Sequence, residues 1–559
     1  MKCQYKRPLR EDYVCSEDAL PDSKEHFCIF HEQRKEKDTE EFHKKISEKI
    51  QRKDFDFAGY FFPDKISFEG VTFTEEANFE GAEFSENADF GDAKFSENAV
   101  FVNVTFSGNA NFEGAEFSEN VDFKHTKFEK NTNFIGANFT KVAYFWNAEF
   151  AGETHFMFAT FKGLTDFTSA KFTKEAYFKH TTFTGEAKFR GITFLKKAAF
   201  EKAAFREIAN FEGAKFLEEV GFESATFTDA YFWNAKFSGD ADFWHAKFSR
   251  VAGFKFAEFS GKANFEGAIF NERADFRDAK FTGDSEFVVA TFIKEANFLK
   301  AEFTEKADFE SVKFFGLTDF IDVHFGGEVS FVGAFFSDST RIRALTGSAL
   351  SRASFRASNC ERVDFLGSSW SADGTEIVIF EEREGIKRGD EWAFSELEEI
   401  YRRLKQSHQR FGDHDLAGKF YYREMESRRK HQKKQRQRIN WIWSEILRFT
   451  CGYGERPRRT AILSGLIITL WAFFYLFGGI VHITNGSETI INYDLTPNLT
   501  QLIYDFLWAL YTSIITFTSL GYGDLHPTGW GRVAASIEVF IGVFMVALFL
   551  FVFTRKMIR

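Results

Sequence analysis

The sequence predicts a multi-domain chain: a solenoid of very short sides, an α-helical hairpin that links it onward, and an α-helical membrane segment with two spans. Three observations carry this. Phe makes up 78 of 559 residues and recurs at intervals of five and six. Beyond residue 391 the apolar period becomes that of a helix. Near the end stand two long apolar runs, the first without a formal charge and the second with Glu538 alone. A chain of this length is expected to hold several domains. Its net charge of −11 is unevenly spread, at about −16 over residues 51–340 and about +8 over 423–459. The first residues, MKCQYKRPLR, have no apolar core, so no secretory leader is expected.

Residues 1–35 form an arm in which Cys3, Cys15, Cys28 and His31 are spaced C-x11-C-x12-C-x2-H. Three thiolates and an imidazole suit tetrahedral zinc, and the closing Cys-x2-His turn puts two ligands at one knuckle. His26 is a competing ligand, and incidental cysteines on a loose arm are the alternative. Three of the five cysteines lie here, a pattern that fits a reducing compartment with a metal site better than a disulfide scaffold. Residues 36–56 are expected to form a charged capping helix, with Phe42, Ile46 and Ile50 turned toward the first repeat.

Residues 57–370 repeat. Phe stands at 68, 73, 79, 84, 90, 95, 101 and 106, in strict alternation of five and six, and this continues to Phe336 with one lapse. Phe222, Phe227, Phe232 and Phe237 are separated by three fives in a row. Ala precedes most of these Phe by two, as at Ala77, Ala82, Ala88 and Ala93. The six-residue step begins Phe-Ser or Phe-Thr, and the residues between are mostly charged, Asn or Gly. Neither a helix nor an ordinary strand makes a five-residue period. A solenoid with one short side per step does, with Phe and Ala inward and the rest facing water.

The pattern resembles the pentapeptide-repeat family, and the resemblance implies a right-handed, four-sided β-helix. Four sides of 5+6+5+6 make about 22 residues per coil, hence roughly twelve coils at ~4.8 Å each. The extra residue with its hydroxyl is expected to widen alternate corners. A tail of fives at Leu345, Leu350, Phe355, Cys360, Phe365 and Trp370 is expected to close the rod, with Cys360 in the core. Acidic rods of this family also imitate DNA and bind topoisomerases. A solvated spacer or sensor scaffold is the favoured reading here, and no nucleic-acid partner is expected. Both ends of a stacked solenoid need caps; residues 371–390 are expected to supply a capping strand through TEIVIFEE (375–382) and a linker.

Residues 391–437 place Trp392, Leu397, Ile400, Tyr401 and Leu404, then Leu416, Ala417, Phe420, Tyr421 and Met425, at helical spacing around Gly412-Asp413. This is similar to one tetratricopeptide unit. A plain αα-hairpin suffices to explain it, and a site for a cytoplasmic ligand or protein is the alternative. Its end, RRKHQKKQRQR (428–438), reads as an inside-facing, lipid-attracted segment rather than an RNA site. Residues 438–456, with two Trp, fit an interfacial helix.

Residues 457–559 are the membrane part. A first span is expected over 460–483, starting inside because Arg456, Arg458 and Arg459 precede it. Residues 484–500 are polar and expected outside. Residues 504–517 are expected to form a re-entrant helix too short to span. Residues 533–553 form the second span, ended inside by Arg555, Lys556 and Arg559. Both termini are then cytoplasmic. The second span carries Gly542 at mid-helix, which is either a hinge or a close-packing point. It also carries Glu538, and intramembrane acids default to a functional reading.

Between the spans stands SIITFTSLGYGD (513–524). A dehydrated cation needs replacement oxygens at short range, and backbone carbonyls form such a ring only where glycines permit unusual backbone. Gly452-Tyr453-Gly454 is a second GYG, between a basic helix and Arg-Pro-Arg-Arg with no pore helix before it, so the tripeptide alone is weak and the flanking context decides. The core, TFTSLGYGD (516–524), resembles the potassium-channel signature. The resemblance implies K⁺ sites lined by Ser519, Leu520, Gly521, Tyr522 and Gly523. Tyr522 would brace the filter and Asp524 would sit above it, while Thr516, Thr518 and Glu538 support it, Glu538 from behind the pore helix near Asp524 and Thr516. The fusion resembles pentapeptide-repeat potassium channels of bacteria. That implies a homotetramer in the bacterial inner membrane, in contact with lipid, conducting K⁺ passively and controlled from the N-terminal side through the first span. Ser519 stands where the family has Thr and Leu520 where it has Val, so a weakly selective cation channel is one alternative. A membrane-tethered scaffold with a non-conducting pore is another. No Ser-His-Asp, Cys-His or phosphate-loop constellation argues for an enzyme, and one span before the pore leaves no voltage sensor.

Overall fold

This computed structural model describes all residues except 7–14, 34–36, 345–348, 371–376, 389–392, 485–486, 492–497, 522 and 558–559. The chain divides into two compact units, Met1–Arg383 and Glu384–Arg559.

The first unit is a parallel β-solenoid of about 13 turns. Most strands are two residues long because a corner follows every five or six residues. Most strands pair in parallel with the equivalent strand one coil on, as in Thr72↔Lys94 and Phe73↔Phe95, a register of 22. One face is a 13-strand sheet, a second a 14-strand sheet, and the remaining two join into one sheet of 22. Inside, each Phe stacks on the Phe one coil away: Phe73 on Phe95 at 4.6 Å and Phe95 on Phe117 at 4.8 Å. Across the interior, rings from opposite faces meet edge to face, as Phe101 and Phe112 do at 5.6 Å and 90°. Offset and T-shaped contacts suit the ring quadrupole, and each buried Phe contributes about 1.5–3 kcal/mol. That burial, rather than strand length, holds the coils.

The corners explain the alternation. In a five-residue step, the residue two after Phe is left-handed: Asp92 (φ 53°), Asn103 (φ 57°), Gly114 (φ 64°), His125 (φ 57°), Gly136 (φ 67°) and Asn147 (φ 55°) repeat this every 11 positions. The Ala93 N–H then closes the turn on the Phe90 carbonyl at 3.1 Å. Six-residue steps make wider corners, where the Ser85 hydroxyl donates to Pro63 O (2.6 Å) and Asn87 Oδ1 accepts from Asn109 N (2.9 Å). The three fives after Phe222 show as one coil of 21, since Lys215 pairs with Lys236 and Val220 with Ala241. The missing residue is absorbed at the Phe227–Phe232 corner, which the Thr226–Tyr231 strand runs straight through. Cation–carboxylate pairs one coil apart, including Lys236–Glu258 (3.0 Å) and Lys197–Glu219 (2.6 Å), offset part of the acidic surface.

The N-terminal end is covered by α1 (Thr39–Gln51), capped by Asp38, which accepts from Glu41 N. Its Phe42 meets Phe62 of the first coil edge to face at 5.5 Å. At the other end Leu350, Phe355, Cys360, Phe365 and Trp370 are buried as expected, and Leu345 lies outside the described residues. The expected capping strand does not form. Residues 375–376 lie outside the described residues, and α2 (Phe380–Arg388) begins at Phe380. A helix wins because Glu381 is needed as a cap: its carboxylate accepts from Ser354 Oγ (2.9 Å) and Phe355 N (2.8 Å), groups that a further coil would otherwise satisfy.

The second unit begins with α3 (Ala393–Arg410) and α4 (His414–Lys434), packed as a hairpin around Leu397, Ile400, Tyr401, Leu404, Ala417 and Phe420. Trp392 lies outside the described residues. Gly412 (φ 84°) turns the chain and Asp413 caps α4. The first members of the basic run are ion-paired within this unit: Arg428 with Glu398 (3.0 Å), and Arg429 with Glu426 (3.0 Å) and Glu445 (3.3 Å). Next comes α5 (Arg438–Cys451), whose Ile439, Trp443, Ile446 and Phe449 are exposed. Gly452, Tyr453 and Gly454 are all left-handed and form an elbow. The Tyr453 hydroxyl donates to Glu426 at 3.0 Å, tying the elbow to α4.

Of the described helices, α6 (Pro457–Gly478) and α8 (Gly531–Met557) are long and apolar enough to cross a membrane. Between them α7 runs from Leu499 to Phe517, starting earlier than expected because Asn498 caps it. The first span is shorter than the expected 460–483. Gly478 and Gly479 end α6, and Ile480–Thr484 instead forms a strand, antiparallel to Ser487–Ile491 and to Leu525–Pro527. Two adjacent glycines cost roughly 2 kcal/mol in a helix, while the strand takes its hydrogen bonds from two neighbours. Ala472, Tyr475, Leu476, Ala509, Ala534 and Ala535 form the core of this bundle.

Candidate functional site

The candidate filter follows α7. Thr516 lies in the last turn, where its hydroxyl donates to Thr512 O (2.7 Å), and Thr518 caps the helix with its hydroxyl on Ile514 O (2.6 Å). Ser519 N–H closes on Thr516 O (3.1 Å) and Leu520 N–H on Ile515 O (3.0 Å). The backbone then turns left-handed at Ser519 (φ 55°) and Gly521 (φ 91°). Leu520 is 75% exposed. Among the described residues no donor reaches the carbonyls of Ser519, Leu520, Gly521 or Gly523. Space for a Cβ is open at both glycines. Tyr522 lies outside the described residues.

Asp524 is held beyond the run. Its carbonyl accepts from Ile483 N (2.8 Å), and its carboxylate faces His482 Nε2 at 3.8 Å. The three-strand sheet thus ties the end of α6 to the residues that follow Gly523. This sheet was not legible in the sequence, because its strands are five, five and three residues long and the third lies far along the chain from the first two.

Glu538 is fully buried in α8 behind α7. Its carboxylate accepts from Tyr475 OH (2.6 Å) and from Ser513 Oγ, and Ser513 also lies against Ile468 O (2.9 Å). The expected neighbour Asp524 is not its partner. Tyr475 and Ser513 went unnoticed in the sequence; the signal was two hydroxyls inside otherwise apolar helices. At Gly542 an added Cβ would overlap the Phe517 carbonyl, so α8 passes α7 backbone to backbone there.

Cys3, Cys15, Cys28 and His31 come together although up to 28 residues separate them. Their ligand atoms lie within 4.8 Å of one another, and all four are buried. Cys15 and Cys28 sulfurs are 3.9 Å apart, and His31 Nδ1 is 3.1 Å from Cys28 Sγ and 3.5 Å from Cys3 Sγ. Zinc–sulfur bonds of about 2.3 Å place tetrahedral sulfurs about 3.8 Å apart, so the set fits. Behind it, His31 Nε2 donates to Ala58 O (3.3 Å), the second-sphere bond that orients a ligating imidazole. The Cys28 thiol donates to Cys15, which brings Cys15 down to about 4 and pushes Cys28 up. His26 is not in the cluster.

At the other end of α8, Arg555 pairs with Glu455 (3.3 Å) and lies over the Tyr421 ring at 4.7 Å, while Lys556 pairs with Asp415 (3.5 Å). The hairpin and the elbow therefore both touch the end of the second span. In the sequence these two cations carried only the charge asymmetry of a span.

Family models place known domains on both units. One described as pentapeptide repeats, in nine copies, matches residues 62–105, 101–149, 145–193, 200–247 and 243–291. One described as an ion channel matches residues 469–559. No curated protein and no solved structure matches the chain.

Proposed function

We propose that this chain, which joins pentapeptide repeats to an ion channel domain, is one subunit of a homotetrameric potassium-selective channel of the bacterial inner membrane, with both termini cytoplasmic. One observation carries the reading: exposed residues Ser519, Leu520, Gly521 and Gly523, whose carbonyls meet no donor among the described residues, on backbone that turns left-handed at Ser519 and Gly521, between a capped helix and a span. One chain supplies a quarter of such a ring, and four copies would surround an ion with the oxygens that replace its water. The channel conducts passively and is not an enzyme. Thr516, Thr518, Asp524 and Glu538 support the filter, Glu538 through Tyr475 and Ser513 on the neighbouring helices. Purified chain in vesicles is expected to pass K⁺ and to shift its reversal potential when K⁺ is exchanged for Na⁺. A reversal potential indifferent to that exchange favours the weakly selective channel, for which Ser519 and Leu520 speak. Absence of flux favours the scaffold.

Cys3, Cys15, Cys28 and His31 would hold one structural zinc ion per chain. The metal would supply a cross-link between the arm and the first coil, where burial alone is thin. Metal analysis of chelator-free protein is expected to find one zinc per chain, and Cys28→Ser is expected to lose it. Zinc retained by that variant assigns the wrong ligands. The rod and hairpin are proposed to bias opening, through a cytoplasmic ligand or protein that binds them. Flux measured against pH, calcium, redox state and voltage identifies the stimulus.

A further inference from the structure

The elbow between α5 and α6 opens into a groove of about 830 Å³. Trp441, Ile442, Ile446, Phe449, Leu463 and Leu466 make its walls apolar. Three charged groups line it: Glu445, Arg448 and Arg459. Glu445 is already engaged by Arg429 (3.3 Å) and Arg448 (3.6 Å), and Arg448 also pairs with Glu426 (3.1 Å). Arg459 differs. One of its guanidinium nitrogens donates to the Arg448 carbonyl at 3.0 Å, and among the described residues no carboxylate pairs with it. A planar guanidinium that meets no carboxylate among the described residues and keeps donors to spare, at the edge of an apolar groove, is suited to a bidentate oxyanion.

We propose that this groove is a binding site for one anionic phospholipid, with the phosphate on Arg459 and an acyl chain along Leu463 and Leu466. The argument is charge complementarity joined to position. Arg459 lies in the first turn of α6, where the expected cytoplasmic headgroup layer meets the hydrocarbon, and α5 presents its apolar face at that level. Arg456 and Arg458 add exposed positive charge beside it. A second apolar groove, of about 580 Å³ between Trp471 and Trp530, has no charged lining residue and selects no headgroup. The proposal rests on the membrane placement of α6 and not on conduction. A non-conducting chain that retains the lipid leaves it standing, and a conducting chain that does not retain it overturns this proposal alone.

The test is native mass spectrometry of the full-length chain in detergent with equimolar phosphatidylglycerol and phosphatidylcholine. One phosphatidylglycerol per chain is expected, preferred about tenfold, the scale of a charge-assisted pair. Arg459→Gln is expected to bring the two lipids level, and Arg459→Lys to fall between. Leu466→Trp, which fills the groove and leaves its charge alone, is expected to lower retention of both. Should Arg459→Gln fail to assemble, the other two variants decide. Changing the exposed Arg436 and Arg438 to Gln is expected to leave the preference intact, and glycerol phosphate is expected not to displace the lipid. Equal retention of both lipids by the unaltered chain overturns the proposal. So does an Arg459→Gln preference that matches it, displacement by glycerol phosphate, or a cross-link placing a second copy in the groove.

Discussion

At Gly521 the backbone sits at φ 91° with no heavy atom near the place of a Cβ. Gly521→Ala therefore meets no clash within its own chain; its cost is conformational, about 1–2 kcal/mol per subunit, repeated in every copy around a ring. K⁺ flux in vesicles is expected to disappear while the subunit still folds, a split that circular dichroism and flux together read. Gly542 has the opposite problem, since a Cβ there overlaps the Phe517 carbonyl. Gly542→Ala is expected to weaken packing of α8 on α7 and lower the melting temperature of the detergent-purified chain. A residue acting only as a hinge would leave that temperature unchanged and alter open probability alone. Lys37, buried beside Phe42 and donating to Phe61 O and Glu32 O, is lowered by burial to about 7. The unfolded chain binds its proton up to about 10.4, so folding of the N-terminal cap is favoured as pH rises from 7 toward 10. The protection factor of amides in the first coil, that is the intrinsic rate at each pH over the observed rate, is expected to rise across that window, and Lys37→Met to flatten the profile.

A coil is the unit of the first domain, and its energetics are those of its neighbours. Phe178 lies between Phe156 at 4.9 Å and Phe200 at 4.7 Å and is fully buried. Phe178→Ala removes two stacks and leaves a cavity that a rod of repeated rings cannot close, at a cost of about 3–5 kcal/mol. Because coils touch only adjacent coils, faster hydrogen exchange is expected over the neighbouring turns, with the turns near Phe84 and Phe309 unchanged. Uniform acceleration along the rod would refute that one-dimensional picture. The two GYG triplets make the companion point for short elements. In 452–454 three left-handed residues reverse the chain and Tyr453 anchors on Glu426. At Gly521 and Gly523 the same letters follow a capped helix, and among the described residues no donor reaches their carbonyls. The element before the triplet, and not the triplet, decides which results.

For the whole chain, the contacts that end α8 are the proposed route for control. Lys556 with Asp415 and Arg555 with Glu455 and Tyr421 join the hairpin and the elbow to the second span. A stimulus acting on the N-terminal unit biases opening only if it binds the open and closed states with different free energies. Deleting residues 1–390 while keeping the hairpin is expected to shift open probability under the stimulus that moves the full chain. Unchanged gating in an assembled, truncated channel makes the rod a spacer.

The sequence by itself determined the coil. A Phe every five or six residues leaves one way to bury the rings, and the 5+6+5+6 rhythm carried the 22-residue register and even the coil of 21, as the three fives after Phe222 required. It likewise marked the hairpin turn at Gly412-Asp413, the two candidate spans and the candidate filter segment, because each is written in residues close together or strongly periodic, and it offered the candidate metal ligands through residue type alone. Only the tertiary structure decided what depends on groups distant in the chain. The Ile480–Thr484 strand replaced the end of the first span because partners 525–527 and 487–491 were there to pair with it. Residues 380–388 became a helix because Ser354 and Phe355 needed a carboxylate cap. Glu538 took Tyr475 and Ser513, and not Asp524, because three helices meet behind the candidate filter. In each case polar groups found their partners across the fold rather than among their neighbours in the chain.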